Sequence, residues 1–273
     1  MRLSIFTRSA LLAVPLALAA CDNGDGEGTG GSTTDESTTT TGEPGTTTTT
    51  TDESADESTT TGEPPGGACL EEQVIPDPPV DCSGAAGVLD TSAIIEDGGD
   101  DPSILDGIVT VNGSIRINRT AETDLNFMAC VQEVTGDVTI FGNDQLTNVD
   151  GLWNLTSVGT DFIFSENAAL TDFDGLPNIT GIDRNLIIKN NDSLQTISGF
   201  HSLVGIEGNL TIQNNDALLS VDGLGGLQLV NGVLAITANP QLCQSSIICV
   251  GEGITVPATP PDTWSTQGND NGC

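Results

Sequence analysis

A leucine returns at a constant step of 24 residues: Leu146, Leu170, Leu194, Leu218 and Leu242. Three residues ahead of each stands an asparagine, giving Asn143, Asn167, Asn191, Asn215 and Asn239. Eight and six residues ahead stand apolar pairs: Val138/Ile140, Phe162/Phe164, Leu186/Ile188, Leu210/Ile212 and Leu234/Ile236. Units of one length without insertions specify stacked repeats, because a single unit of this kind cannot bury its apolar face alone. The pair at spacing two is a strand whose alternate residues point inward. Apolar residues never keep a helical period for long, and Gly and Asn interrupt every unit, so no segment suits a helix of ten residues.

The remaining columns follow the same step. Val149, Phe173, Ile197 and Val221 form one, and Leu155, Ile179, Leu203 and Leu227 another. Gly151, Gly175, Gly199 and Gly223 mark corners that need a positive φ or a close backbone approach. The asparagines predict a ladder of buried amides that bond backbone at successive corners. Regular coils run over 136–159, 160–183, 184–207 and 208–231, with a partial coil from 232. The pattern begins near Leu105, through a first irregular stretch that carries Cys130.

Before the repeats the chain changes character twice. Residues 1–20 have Arg2 and Arg8 ahead of an apolar run from Ala10 to Ala20, which is a secretory signal peptide. Its end, Leu18-Ala19-Ala20-Cys21, resembles the lipobox of bacterial lipoproteins, and that resemblance implies cleavage before Cys21 and lipidation of its sulfur. Residues 21–68 are rich in Thr, Gly, Asp and Glu and poor in apolar side chains. Such a stretch buries too little surface to offset its ordering entropy, so it reads as a disordered stalk. Residues 69–104 read as the cap of the solenoid's first end, 105–250 as the solenoid and 251–273 as a C-terminal tail or cap.

Charge narrows the partners. The net charge is −33, and once the leader is removed only Arg116, Arg119, Arg184 and Lys189 stand against 39 acids. Nucleic acid is therefore excluded, and the only membrane contact expected is through the Cys21 lipid. The six remaining cysteines, Cys69, Cys82, Cys130, Cys243, Cys249 and Cys273, are an even number in an exported chain and predict disulfides, whose pairing stays open. No CxxC occurs and His201 is the only histidine, so neither a metal nor a cofactor is implied.

Catalytic chemistry has little to stand on. GxSxG is absent, and His201 reads as an exposed corner residue. Carboxylates abound, but Asp144, Asp192 and Asp216 sit directly after the asparagines and read as solvated turn residues. The first strand of each coil offers a better surface. Its outward positions put Phe141, Ile163 and Ile187 on successive rungs as an apolar patch, with Lys189 and Gln213 on the same candidate binding face.

The grammar LxIxxNxxL followed by GLxxL, and the closing Asn239-Pro240-Gln241-Leu242-Cys243, resemble the receptor L-domain family over 105–250. That resemblance implies a right-handed, single-stranded parallel β-helix of about five to six coils with capped ends, an all-β fold that recognises ligands through an exposed sheet face. No Cys-rich module or transmembrane helix follows in this sequence, so growth-factor binding does not carry over. The expectation is a lipid-anchored protein of the bacterial cell envelope, at the outer membrane or cell surface. It binds an unidentified protein or carbohydrate without catalysis. A polysaccharide-acting enzyme on a β-helix and a structural spacer are the alternatives.

Overall fold

The computed structural model describes residues 80–255, 264–270 and 272. The leader, Cys21, the stalk, Cys69 and Cys273 lie outside these residues. Within them the chain is predominantly β and forms a parallel β-solenoid of about six turns.

Each turn contributes a long strand and a short one. The long strands are Ala93–Ile95, Ile115–Asn118, Val138–Phe141, Phe162–Ser165, Leu186–Lys189, Leu210–Gln213, Leu234–Thr237 and Trp264–Ser265, and they form one parallel sheet in chain order. The short strands run from Gly87–Leu89 through Ile108–Val111 to Leu229–Val230 and form a second parallel sheet. Register follows the repeat step, so Leu186 lies between Phe162 and Leu210, and Ile188 between Phe164 and Ile212. Like therefore stacks on like, and one continuous apolar core runs the length of the coils. Its middle holds Phe162, Phe164, Phe173 and Phe200, with Phe173 stacked on Phe200 at 5.2 Å and Phe164 edge-on to Phe173 at 4.7 Å.

The asparagine column is buried throughout. Each Oδ1 accepts the backbone N–H and the side-chain amide of the asparagine one coil earlier; for Asn191 these come from Asn167 at 3.0 and 3.3 Å. Each Nδ2 also donates to a carbonyl of the preceding coil, as Asn191 does to Phe164 at 3.2 Å. Every asparagine thus ties three coils together. The residue just before it adopts the left-handed conformation in coil after coil: Gly142, Glu166, Asn190, Asn214 and Ala238 have φ between 55° and 68°, as does Arg119, at 51°, ahead of Thr120 in the equivalent place. This turn swings the next side chain inward. Glycine fills it only at Gly142 and, ahead of Asn269, at Gly268 (φ 78°), although a left-handed residue with a Cβ costs about 1–2 kcal/mol.

The corner glycines serve the other purpose anticipated for them. A Cβ on Gly151 would lie 1.8 Å from the Leu125 carbonyl oxygen, and one on Gly175 2.2 Å from that of Val149. A Cβ on Gly199 or Gly223 would likewise lie 2.7 or 2.5 Å from backbone of the preceding coil. These positions are closed by contact between coils.

The two terminal stretches gain detail, and one expectation, that no segment forms a helix of ten residues, is corrected. The solenoid begins at Gly87, inside the stretch 69–104 assigned to a cap, because Gly87–Leu89 and Ala93–Ile95 already pair in parallel with the next coil. The tail 251–273 supplies a last rung: Trp264–Ser265 pairs with Leu234–Ala235, and Asn269 accepts from Asn239 at 3.1 Å as a further member of the ladder. A helix of ten residues does form, Gln244–Gly253, where the 24-residue step has ended. It turns Ser246, Ile247 and Val250 inward, and Ser246 Oγ bonds the Val221 N–H at 3.0 Å.

Asn191→Ala leaves the buried Asn167 N–H without its acceptor and removes the amide bonds to Asn167 Nδ2 and the Phe164 carbonyl, and is expected to cost about 2–4 kcal/mol in denaturant unfolding. Gly151→Ala is expected to cost a similar amount, about 2–4 kcal/mol, through the Leu125 contact. Glu166→Gly, which relieves an exposed left-handed residue, is expected to stabilise by about 0.5–1 kcal/mol. Equal effects of the two glycine exchanges would contradict this division of roles.

Candidate functional site

The outward side of the long-strand sheet is ordered in columns. One column runs Ile94, Arg116, Thr139, Ile163, Ile187, Thr211 and Ala235. The next, two residues further along the strands, runs Asn118, Phe141, Ser165, Lys189, Gln213 and Thr237. Ile163 and Ile187 are therefore direct neighbours, both half-buried. Phe141 belongs to the second column, opposite Ser165 rather than Ile163. Reading successive rungs does not distinguish the two outward positions of a four-residue strand, and the register does. Lys189 and Gln213 share the column of Phe141.

Side chains next to the strands complete the face. The Arg119 guanidinium lies 4.6 Å from the centre of the Phe141 ring, a cation–π contact worth about 0.5–1 kcal/mol at an exposed site. Arg116 pairs with Asp137 at 3.9 Å, and Arg184 with Asp161 at 3.7 Å. Exposed pairs of this kind add little stability. They do place fixed charges of both signs beside the isoleucines. All four basic side chains among the described residues thus lie in this sheet or in the turns at its strand ends, a grouping not legible in a sequence where they are scattered. A depression of about 300 Å³ lined by Arg119, Thr120, Gly142, Asp144, Gln145 and Glu166 adjoins the face.

The other candidate positions are dispersed. Asp144, Asp192 and Asp216 are exposed, and Ala168 interrupts their column. Among the described residues no three His, Cys, Asp or Glu side chains converge as metal ligands. His201 is not an exposed corner residue. It is half-buried, and both ring nitrogens are shut off from solvent without a hydrogen-bond partner. Its column holds Trp153 and Pro177, both buried, so this corner is turned against the body of the coil.

Stacking also brings like charges together. Asp150 and Asp174 occupy one column on successive coils, with Asp172 close by. Desolvation first, then repulsion from Asp150 and Asp172, raises the Asp174 carboxyl above its ordinary value of 3.8. Of the cysteines, Cys82 and Cys130 form a disulfide, and Cys243 and Cys249 are also disulfide-bonded. Thr120 and Asn269 were missed by reading the repeat alone. Thr120 ends the asparagine ladder at its first coil, donating its N–H to Asn143 Oδ1 at 3.0 Å, and Asn269 ends it at the last.

The receptor L domain family matches residues 109–172. This stretch runs from the second short strand to the short strand Asp172–Phe173, and it contains Arg116, Arg119, Phe141 and Ile163. The chain has no match among curated proteins or solved structures.

Because folding raises the Asp174 value, its contribution is most favourable below pH 3.8 and is lost as pH rises through the folded value. Asp174→Asn is therefore expected to raise the melting temperature at pH 7, with the gain shrinking as pH falls and absent at about pH 3. A gain of the same size at both pH values would refute the electrostatic origin.

Proposed function

We propose that this is a lipid-anchored protein of the bacterial cell envelope whose solenoid head recognises a protein or carbohydrate ligand through the outward long-strand face, without catalysis. The observation that carries this reading is the combination on one regular sheet of Ile163 and Ile187, the Phe141 ring under Arg119, and the Arg116–Asp137 and Arg184–Asp161 pairs. Apolar centres with a polar and charged rim are typical of recognition surfaces. The receptor L domain match over 109–172 supports the same class of role. Anchorage rests on the lipobox-like end of the leader. Among the described residues no helix is long and apolar enough to cross a membrane.

One observation favours a second reading. Asp174, whose carboxyl is raised by desolvation, stands with Asp150 and Asp172 in one cluster of carboxylates, the residue type that glycoside hydrolysis uses. That would fit an enzyme acting on envelope polysaccharide.

A carbohydrate and envelope-protein array, run alongside a reducing-sugar release assay, separates the two. Binding without release is expected. Ile187→Asp is expected to weaken capture by about tenfold or more while leaving the melting temperature nearly unchanged, since the side chain faces outward. Sugar release abolished by Asp174→Asn would establish the enzyme instead, and neither binding nor release would leave the role of a spacer. Cys21→Ala is expected to move the protein from the membrane to the soluble fraction.

A further inference from the structure

A solenoid has a sheet edge at each end, and an uncovered edge presents unpaired N–H and C=O groups. Among the described residues these edges are treated unequally. At the first end, the long-strand sheet closes with Ala93–Ile95. The middle residue of that strand points its backbone away from the coils, and Asp100 covers it: the Asp100 N–H donates to the Ile94 carbonyl at 2.7 Å, and its carboxylate accepts the Ile94 N–H at 2.8 Å. At the last end, Trp264–Ser265 lies over Leu234–Thr237, and the Thr255 N–H and hydroxyl both bond the Gln228 carbonyl, at 2.9 and 3.3 Å.

Among the described residues none covers the first strand of the short-strand sheet, Gly87–Leu89, in this way. Its outer residues are spent on the next coil, since Gly87 donates to Gly107 at 3.0 Å and Leu89 accepts from Asn112 at 2.8 Å. Strand alternation turns the N–H and C=O of Val88 outward, as it does for Ile94, and the Val88 side chain is 55% exposed. At Gly87 this strand borders an open depression of about 600 Å³, whose lining includes Gly84, Ala85, Ala86, Phe127, Asp81 and Asp106.

We propose that the outer edge of Gly87–Leu89 is a docking site for an extended, basic segment of a partner protein, which adds to the short-strand sheet as a further strand. Backbone pairing to Val88 supplies the attachment, and charge supplies the selectivity. Between Val80 and Ile115 there are acids at Asp81, Asp90, Glu96, Asp97, Asp100, Asp101 and Asp106, and no lysine or arginine. A lysine or arginine of the added strand lays its methylene stem against Phe127 and sets its charge between Asp81 and Asp106. The same charges argue against the two nearest alternatives. A second copy brings an identical acidic end. The chain's own residues 69–79 carry Glu71, Glu72 and Asp77, and Pro76, Pro78 and Pro79 cannot donate to a ladder.

The test titrates the full chain with a short peptide of alternating lysine and valine, the same peptide N-methylated at alternate backbone amides, and a glutamate–valine counterpart. Saturable binding of the first is expected at low salt. Methylation should weaken it about tenfold or more, the acidic peptide should not bind, and amide exchange at Val88 should slow on binding. The doubly substituted Asp81→Asn, Asp106→Asn chain should keep its melting temperature and bind about tenfold more weakly. Equal affinity for the methylated peptide would overturn the proposal by reducing it to charge attraction alone. So would no binding at all. A Val88 amide already protected in the free chain would also overturn it, and sedimentation would then tell a second copy from the chain's own residues.

Discussion

The buried amide of each asparagine is the interaction on which the other features depend. A parallel stack of coils has no hairpin to fix its register, and apolar columns of similar residues tolerate slippage. The amide column does not. Each Oδ1 takes two donors from the coil before, and each Nδ2 reaches back to a carbonyl there, so a slip of one residue would leave several buried polar groups unpaired at once. The left-handed residue ahead of each asparagine is the conformational cost of aiming the amide inward. That it is accepted at Glu166, Asn214 and Ala238, without glycine, indicates how much the ladder returns.

A fixed register means that whatever one coil carries at a position, the next coil must meet. In the core this is favourable, and the larger Phe162, Phe164, Phe173 and Phe200 are accommodated by gathering in adjoining coils, where they pack on one another. On the surface it has two outcomes. Thr and Asn columns bridge coils by hydrogen bonds, as Thr196 does to Asp172 at 2.6 Å and Asn185 to Asp161 at 2.6 Å. Acidic columns repel, and Asp150, one coil before, adds its repulsion to the desolvation that raises the Asp174 carboxyl. Ser198 relieves that column on the next coil, and Ser246 bonds Asp222 at its end.

The repeat itself was legible because its columns are chemically uniform: from Leu146 and Asn143 alone the coil length, the strands and the inward positions follow. Legibility ended where the period did. Gly87–Leu89 and Ala93–Ile95 were hidden because the turn between their coil and the next has another length, so nothing in a 24-residue count reaches them. The helix Gln244–Gly253 was overlooked because strand grammar was extended past Leu242, although Ile247, Val250 and Ile254 have helical spacing. Asn269 lies 30 residues beyond Asn239 and enters the ladder only through folding. On the candidate face, the residues were identified but not their columns. Two outward positions in one strand look alike in sequence, and only the pairing of Phe141 with Ser165 separates it from Ile163.

Recognition on such a scaffold has to come from departures from the repeat, since a uniform column presents the same group at every rung and favours no location along the stack. The departures cluster toward the first half. Arg116 and Arg119 stand at positions whose counterparts carry Thr, Ile, Ala, Gly, Asn or Glu, and Phe141 replaces the small or polar residues of its column. Arg119 joins two departures in one contact, because its left-handed backbone brings the guanidinium over the Phe141 ring. A ligand that reads this pair also reads its distance to Ile163 and Ile187, which the amide ladder holds constant. The rigidity that makes the coils monotonous is thus what lets a few irregular side chains act as a fixed surface: their relative positions are set by backbone register, and little side-chain ordering remains to oppose binding.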